Sequence, residues 1–190
     1  MDDIRARGVN FVYSREYIQS KHGMNFWEKL LTRLPSQTAK LWAGPLLSLS
    51  NYPFADFKLM LQALSDELGT EKREKTAELY SYIADRSLST LYKVFFKFSQ
   101  PAFVLKNYPK LWERFFTSGE VTVISAEKGT AEISFKLPEI FLDWLPSACY
   151  GYSKKAVEMA GGTGLEQEET ERVKLPDGEW RITYRLKWSQ

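Results

Sequence analysis

The sequence predicts an α+β fold, with helices up to about residue 118 and then a β-β-α-β-β order that closes into a four-stranded antiparallel sheet. Three observations predict it. Residues 179–188, EWRITYRLKW, set Trp180, Ile182, Tyr184, Leu186 and Trp188 in alternation with Arg181, Thr183, Arg185 and Lys187, the pattern of a strand with one buried face. The pairs Lys128-Gly129 and Asp177-Gly178 supply hairpin turns. Before them, Leu105, Tyr108, Leu111, Trp112, Phe115 and Phe116 recur at steps of three and four, one face of a helix. Two hairpins joined by a helix form one sheet with that helix on one face, so residues 1–190 read as a single domain.

The elements follow in order. Val9 to Tyr13 read as a short extended segment after Gly8. Ser14 is placed to cap a helix through Lys21 that Gly23 ends. Asn25 and Glu28 have the spacing of a capping box for a second helix, whose face is Phe26, Trp27, Leu30, Leu31 and Leu34 before Pro35 stops it. Gly44, Pro45 and Pro53 mark residues 43–53 as loop. Phe57, Met60, Leu61, Leu64 and Leu68 predict a helix closed by Gly69. A charged start, TEKREK, leads into a long amphipathic helix from Leu79 to Phe98, ended before Pro101. The next helix accepts Pro109 in its first turn. Strands are expected near 121–125 and 130–136, a helix over 138–160 with Pro146 as a kink or restart, and strands near 168–175 and 179–188.

Composition removes several classes of function. Hydrophobic residues make up 44% and aromatics 15%, which supports a packed core. The net charge of +2, from 26 basic and 24 acidic residues, lacks the concentrated excess of a nucleic-acid surface. No run of about 18 apolar residues predicts a membrane span. The start MDDIRARGVNF lacks the apolar stretch of a signal peptide, and the single Cys149 excludes an intrachain disulfide. A reducing, cytoplasmic location is the expectation.

Catalytic and metal chemistry find little to stand on. His22 is the one histidine, in Lys21-His22-Gly23 at a helix end, where a cationic side chain suits the dipole. One histidine and one cysteine draw no zinc site, and Gly-x-Ser-x-Gly is absent. Cys149 falls on an apolar helix side and reads as an inert buried thiol. Gly161-Gly162-Thr163-Gly164 follows a helix instead of opening one, so it reads as a C-cap and linker and not as a phosphate loop. Glu139 and Asp143 suit a helix N-terminus, and Arg181, Arg185 and Lys187 suit pairing with Glu169 and Glu171 across the hairpin. No enzyme activity and no cofactor are expected. What remains is aromatic: Tyr92, Phe95, Phe96, Phe98, Phe103, Tyr108, Trp112, Phe115 and Phe116 crowd two neighbouring helices. They form either a ring-rich core or the wall of an apolar pocket, with Phe95, Trp112, Phe116 and Phe135 as the ligand-binding candidates.

Three segments carry a resemblance: GVNFVYSREYIQSKHGMNFWEKLLTRLP, LWERFFTSGEVTV and DGEWRITYRLKW. They resemble uncharacterised bacterial proteins of about this chain's size, expanded in myxobacteria. That family is similar to a superfamily holding the heme nitric oxide/oxygen-binding (H-NOX) domains, the vinyl reductase-type ligand-binding domains and the TRAPP vesicle-tethering subunits. The resemblance implies helices followed by β-β-α-β-β over nearly the whole chain. It implies that a heme-binding member would carry an iron-ligating histidine on the helix before the sheet and a Tyr-x-Ser-x-Arg motif for the propionates. Here the matching turn reads Pro109-Lys110-Leu111-Trp112, and no such motif occurs; Tyr150-Gly151-Tyr152-Ser153-Lys154-Lys155 lacks its spacing. The expected function is a non-enzymatic regulatory or sensor-like module with an apolar pocket for a small hydrophobic ligand, without heme on an axial histidine. The alternative is a TRAPP-like scaffold that acts through dimerisation and holds no ligand.

Overall fold

A computed structural model describes the backbone of residues 4–96 and 100–189, with side chains for the same residues except 89–96. The helical part runs β1 (Arg5–Arg7), α1 (Gly8–His22), α2 (Met24–Thr32), α3 (Ser36–Ala43), β2 (Asn51–Pro53), α4 (Phe54–Leu68), α5 (Lys72–Phe96), α6 (Pro101–Lys106) and α7 (Tyr108–Phe115). The sheet part runs β3 (Glu120–Glu127), β4 (Thr130–Leu137), a 3-10 turn (Glu139–Phe141), α8 (Leu145–Met159), β5 (Thr163–Lys174) and β6 (Trp180–Ser189). Among the described residues no helix is long and apolar enough to cross a membrane.

The start of the chain differs most from expectation. Residues 9–13 are helical, and Ser14 does not cap α1: its hydroxyl donates to the Asn10 carbonyl inside the helix at 2.6 Å. Gly8 lets this helix begin against the 44–50 loop, because a Cβ there would stand 1.9 Å from the Leu47 carbonyl oxygen. Helix α1 buries polar Asn10 and Ser14 beside Phe11, Tyr17 and Ile18, so its apolar periodicity is weak. Asn10 is a hub. Its amide donates to the Phe115 carbonyl at 2.7 Å, and its oxygen accepts from the Tyr80 hydroxyl at 3.1 Å. Gly23, at φ 84°, separates α1 from α2 and takes the N-cap place expected of Asn25. Part of the 43–53 stretch is also structured. It contains the end of α3 and the strand β2, which pairs with β1 from Arg5↔Pro53 to Arg7↔Asn51. Strand β1 touches the far end of the helical part too: Ala6 bridges Phe116, and the Thr117 hydroxyl donates to the Arg5 carbonyl at 2.8 Å.

The one helix expected from Leu105 to Phe116 is two, broken at Asn107, with Pro109 in the first turn of α7. The helix expected over 138–160 is a 3-10 turn and then α8, which restarts with Pro146 in its first turn. The main sheet has the order β3-β4-β6-β5, every pair antiparallel. Strand β5 starts at Thr163, ahead of the expected 168, so the Gly-rich stretch is the end of α8 and a bulged strand entry. Ile133, Phe135, Leu137, Ile182, Tyr184 and Leu186 face the helices, all nearly fully buried. The outer face is wet: Arg181 meets Glu171 at 3.9 Å and Arg185 meets Glu168 at 3.7 Å. Glu169 pairs with Arg172 on its own strand instead of across the hairpin. Helices α5 and α8 cross at Gly151, where a Cβ would lie 2.0 Å from the Ala77 carbonyl oxygen.

Candidate functional site

Helices α5, α7 and α8 meet beneath the sheet in a seam of rings. From α7 come Tyr108, Leu111, Trp112 and Phe115; the extended backbone just past its end adds Phe116. From α8 come Leu145, Ala148, Cys149 and Tyr152, one face by their three- and four-residue spacing, with Trp144 just ahead of them. Tyr80 of α5 completes the lining of a cavity of about 20 Å³. That is room for about one water molecule. Trp112 and Phe116 lie 4.4 Å apart between ring centroids, Phe116 and Trp144 5.1 Å, and Tyr80 and Trp144 5.0 Å. The Trp112 indole is fixed by donating to the Ser118 carbonyl at 3.0 Å.

Of the four ligand-binding candidates, Trp112 and Phe116 line this cavity, together with Tyr108 and Phe115 from the same aromatic group. Phe135 stands behind them on β4, 5.6 Å from Trp112 and 5.7 Å from Tyr108, and is fully buried. Phe95, like Tyr92, Phe96 and Phe98, lies outside the described side chains. Phe103 turns outward, 56% exposed. Sequence reasoning placed Cys149 on an apolar face but missed that Trp144, Cys149 and Tyr152 oppose α7. The spacing within α8 was there to find; its partner helix was not.

The cavity is uncharged. Burial pushes the Cys149 thiol up to about 11 and holds the Tyr80 and Tyr108 hydroxyls well above their ordinary value, so all three keep their protons at neutral pH. The Cys149 sulfur lies 3.9 Å from the Ser153 hydroxyl. The Trp144 indole N–H sits against the Tyr80 hydroxyl without a hydrogen bond of good geometry. Nothing here is poised as a nucleophile or base, since a buried protonated thiol is inert.

His22 lies apart from this lining. Its ring rests 4.7 Å from that of Phe26 and its Nε2 is buried without a partner. Burial, then Lys21 and Lys75, lower its pKa, so the cationic helix end expected of it is served by Lys21 instead. Asp143 and Glu139 do not act together: Asp143 is held by Lys58 at 2.6 Å and Lys72 at 3.3 Å, while Glu139 reaches Lys174 at 4.0 Å. Among the described residues no group of three or more His, Cys, Asp or Glu side chains is arranged to hold a metal.

No family model and no curated protein matches the sequence. Solved structures do. An Fe(II) unliganded H-NOX protein from K. algicida superposes with a TM-score of 0.72 at 14% identity, covering 97% of each chain. A mutant of T. Tengcongensis H-NOX gives 0.73 at 13% identity, over 97% of this chain and 98% of that one. An oxygen-binding H-NOX domain related to soluble guanylate cyclases gives 0.72 at 12%, over 97% of this chain and 95% of that one. The fold is H-NOX-like. At such identities the likeness is one of topology, and the chemistry of this H-NOX-like chain rests on its own side chains.

Proposed function

We propose that this protein is a non-enzymatic, sensor-like module that takes a small apolar ligand at the seam of α5, α7 and α8. The observation that carries the reading is the buried, uncharged, ring-lined cavity at that seam, in an H-NOX-like fold. A ligand larger than one water enters by displacing rings. Trp144 is the ring best placed to move: its N–H has no good partner, and it sits in the short link between the 3-10 turn and α8. Its displacement would shift the start of α8 and convert occupancy into a change of shape, a shift between two populated states.

Related structures are described with Fe(II), heme and porphyrin distortion. The ligand proposed here is not a heme on an axial histidine, because the residues present do not fit one. The lining offers a protonated thiol and phenols as donors, His22 is not part of it, and about 20 Å³ falls far below the space a macrocycle occupies. Small-molecule sites run to roughly 300–1,000 Å³. With added hemin we expect no sharp histidine-ligated Soret band. A ligated spectrum that vanishes in His22→Ala would overturn this part of the reading.

The same small volume favours a second reading, a scaffold with a filled interior that acts by dimerising, as in the TRAPP-like alternative. A thermal-shift screen of fatty acids, isoprenoids and tetrapyrroles, paired with native mass spectrometry, separates the two. A binding ligand stabilises the native state by about 2.7 kcal/mol at a hundredfold excess over its Kd. A flat screen with a constant dimer mass leaves the scaffold.

A further inference from the structure

A second cavity, an open cleft of about 410 Å³, lies against the first and shares a wall with it. Phe115 lines both. Ser87, in the cleft, lies 3.4 Å from the hydroxyl of Tyr152, which lines the inner cavity. The outer cleft has the volume of a small-molecule site, which the inner cavity lacks. Its chemistry is divided. Arg7 and Arg114 present two guanidiniums, and neither forms an ion pair among the described residues; Arg7 donates only to the Glu113 backbone carbonyl, at 3.4 Å. Glu113 adds one carboxylate, leaving the cleft with one net positive charge. The other side is apolar, with Val9 and with Leu49 at 90% exposure.

We infer that the ligand is an amphipathic carboxylate, its head bound between Arg7 and Arg114 in the outer cleft and its hydrocarbon tail passing Phe115 into the aromatic seam. This rests on the ligand-binding reading above and names its chemical class. One net positive charge matches a monoanion better than a phosphate dianion, and a guanidinium takes a carboxylate in a two-pronged hydrogen-bonded pair. Leu49 and Val9 cover the part of the tail nearest the head. Phe115 is the gate, since it is the residue common to the two linings.

Decanoate and decanol, titrated calorimetrically below their aggregation limits, test this on the full chain. Decanoate is expected to bind more tightly than decanol, and Arg114→Gln to weaken decanoate about tenfold while leaving decanol unchanged. Arg114 is exposed, so this variant keeps the fold. A terminally brominated decanoate is expected to quench part of the tryptophan emission, and that part is lost in the Trp112→Phe/Trp144→Phe variant. Equal binding of acid and alcohol, or quenching that survives the double variant, overturns the inference and leaves the apolar site standing. No binding by either probe, together with a flat ligand screen, removes the site as well.

Discussion

Burial among rings would leave a Cys149 thiolate without water to solvate its charge, and this sets an alkaline limit on the fold. The folded chain keeps the thiol proton up to about pH 11, while the unfolded chain releases it near its ordinary 9.0. Over that interval the unfolded state binds fewer protons, so stability is unaffected below about pH 8.5 and falls as the pH rises toward 11. The loss amounts to about 2–3 kcal/mol in total. Urea unfolding at pH 8, 9 and 10 is expected to show this slope, flattened in Cys149→Ala; an unchanged slope in the variant would remove the thiol as its source. Trp112 makes the complementary case. It is 6% exposed and packed on Phe116 and Phe135, so Trp112→Ala is expected to lower stability by about 3–5 kcal/mol and to abolish any ligand-induced rise in Tm. Arg185→Ala, on the wet face of β6, is expected to change neither by more than about 0.5 kcal/mol. Trp112 and Phe116 were legible from the three- and four-residue spacing that runs through α7 to the residue just past its end. Trp144 and Tyr152 were not, because only the packing of α8 on α7 brings them opposite, and a single sequence carries no signal for which helix faces which.

Among the elements, α5 and α8 approach closely at Gly151. Ala77 presents backbone there, which cannot swing aside as a side-chain tip would. Gly151→Ala is expected to force the two helices apart and to cost about 3 kcal/mol, read as a lowered urea midpoint with an unchanged m-value. A midpoint equal to that of the parent chain would mean the crossing is looser than described. Elements with one buried face were readable in advance. Strand β6 alternates cleanly because only one side of the sheet is covered, and α4 ends at Gly69 in the left-handed conformation that its sequence announced. Elements whose buried stripe includes polar residues were not. Helix α1 turns Asn10 and Ser14 inward as well as Phe11, so its first turn looked extended. Helix α3 has eight residues, no side-chain cap and two buried positions, Thr38 and Trp42, one turn apart. What anchors it is tertiary: the Thr38 hydroxyl and the Trp42 indole both donate to Asp56 of α4, the latter at 3.2 Å to the backbone carbonyl.

At the scale of the whole molecule, helices and a one-sided sheet were foreseeable from the change of period near residue 118, because each half repeats with its own spacing. The little sheet of β1 and β2 was not, since three-residue strands leave no periodic trace. If the chain works as a dimeric scaffold instead of a ligand-binding module, sedimentation velocity is expected to give twice the chain's 22.0 kDa at every ligand concentration; a monomer that compacts on adding decanoate would favour the sensor. Strand β1 carries a further consequence, for the order of events on the ribosome. Its residues pair with Asn51–Pro53 early in the chain but also lean on Phe116 and Thr117. The second set of partners emerges only about 110 residues after β1 itself, a delay of roughly 5–20 s at ordinary rates of synthesis. Until then Ala6, fully buried in the finished fold, stays open on one side. Nascent chains arrested before Phe116 are therefore expected to be cut by protease near residue 7, and chains arrested well beyond β3 to resist.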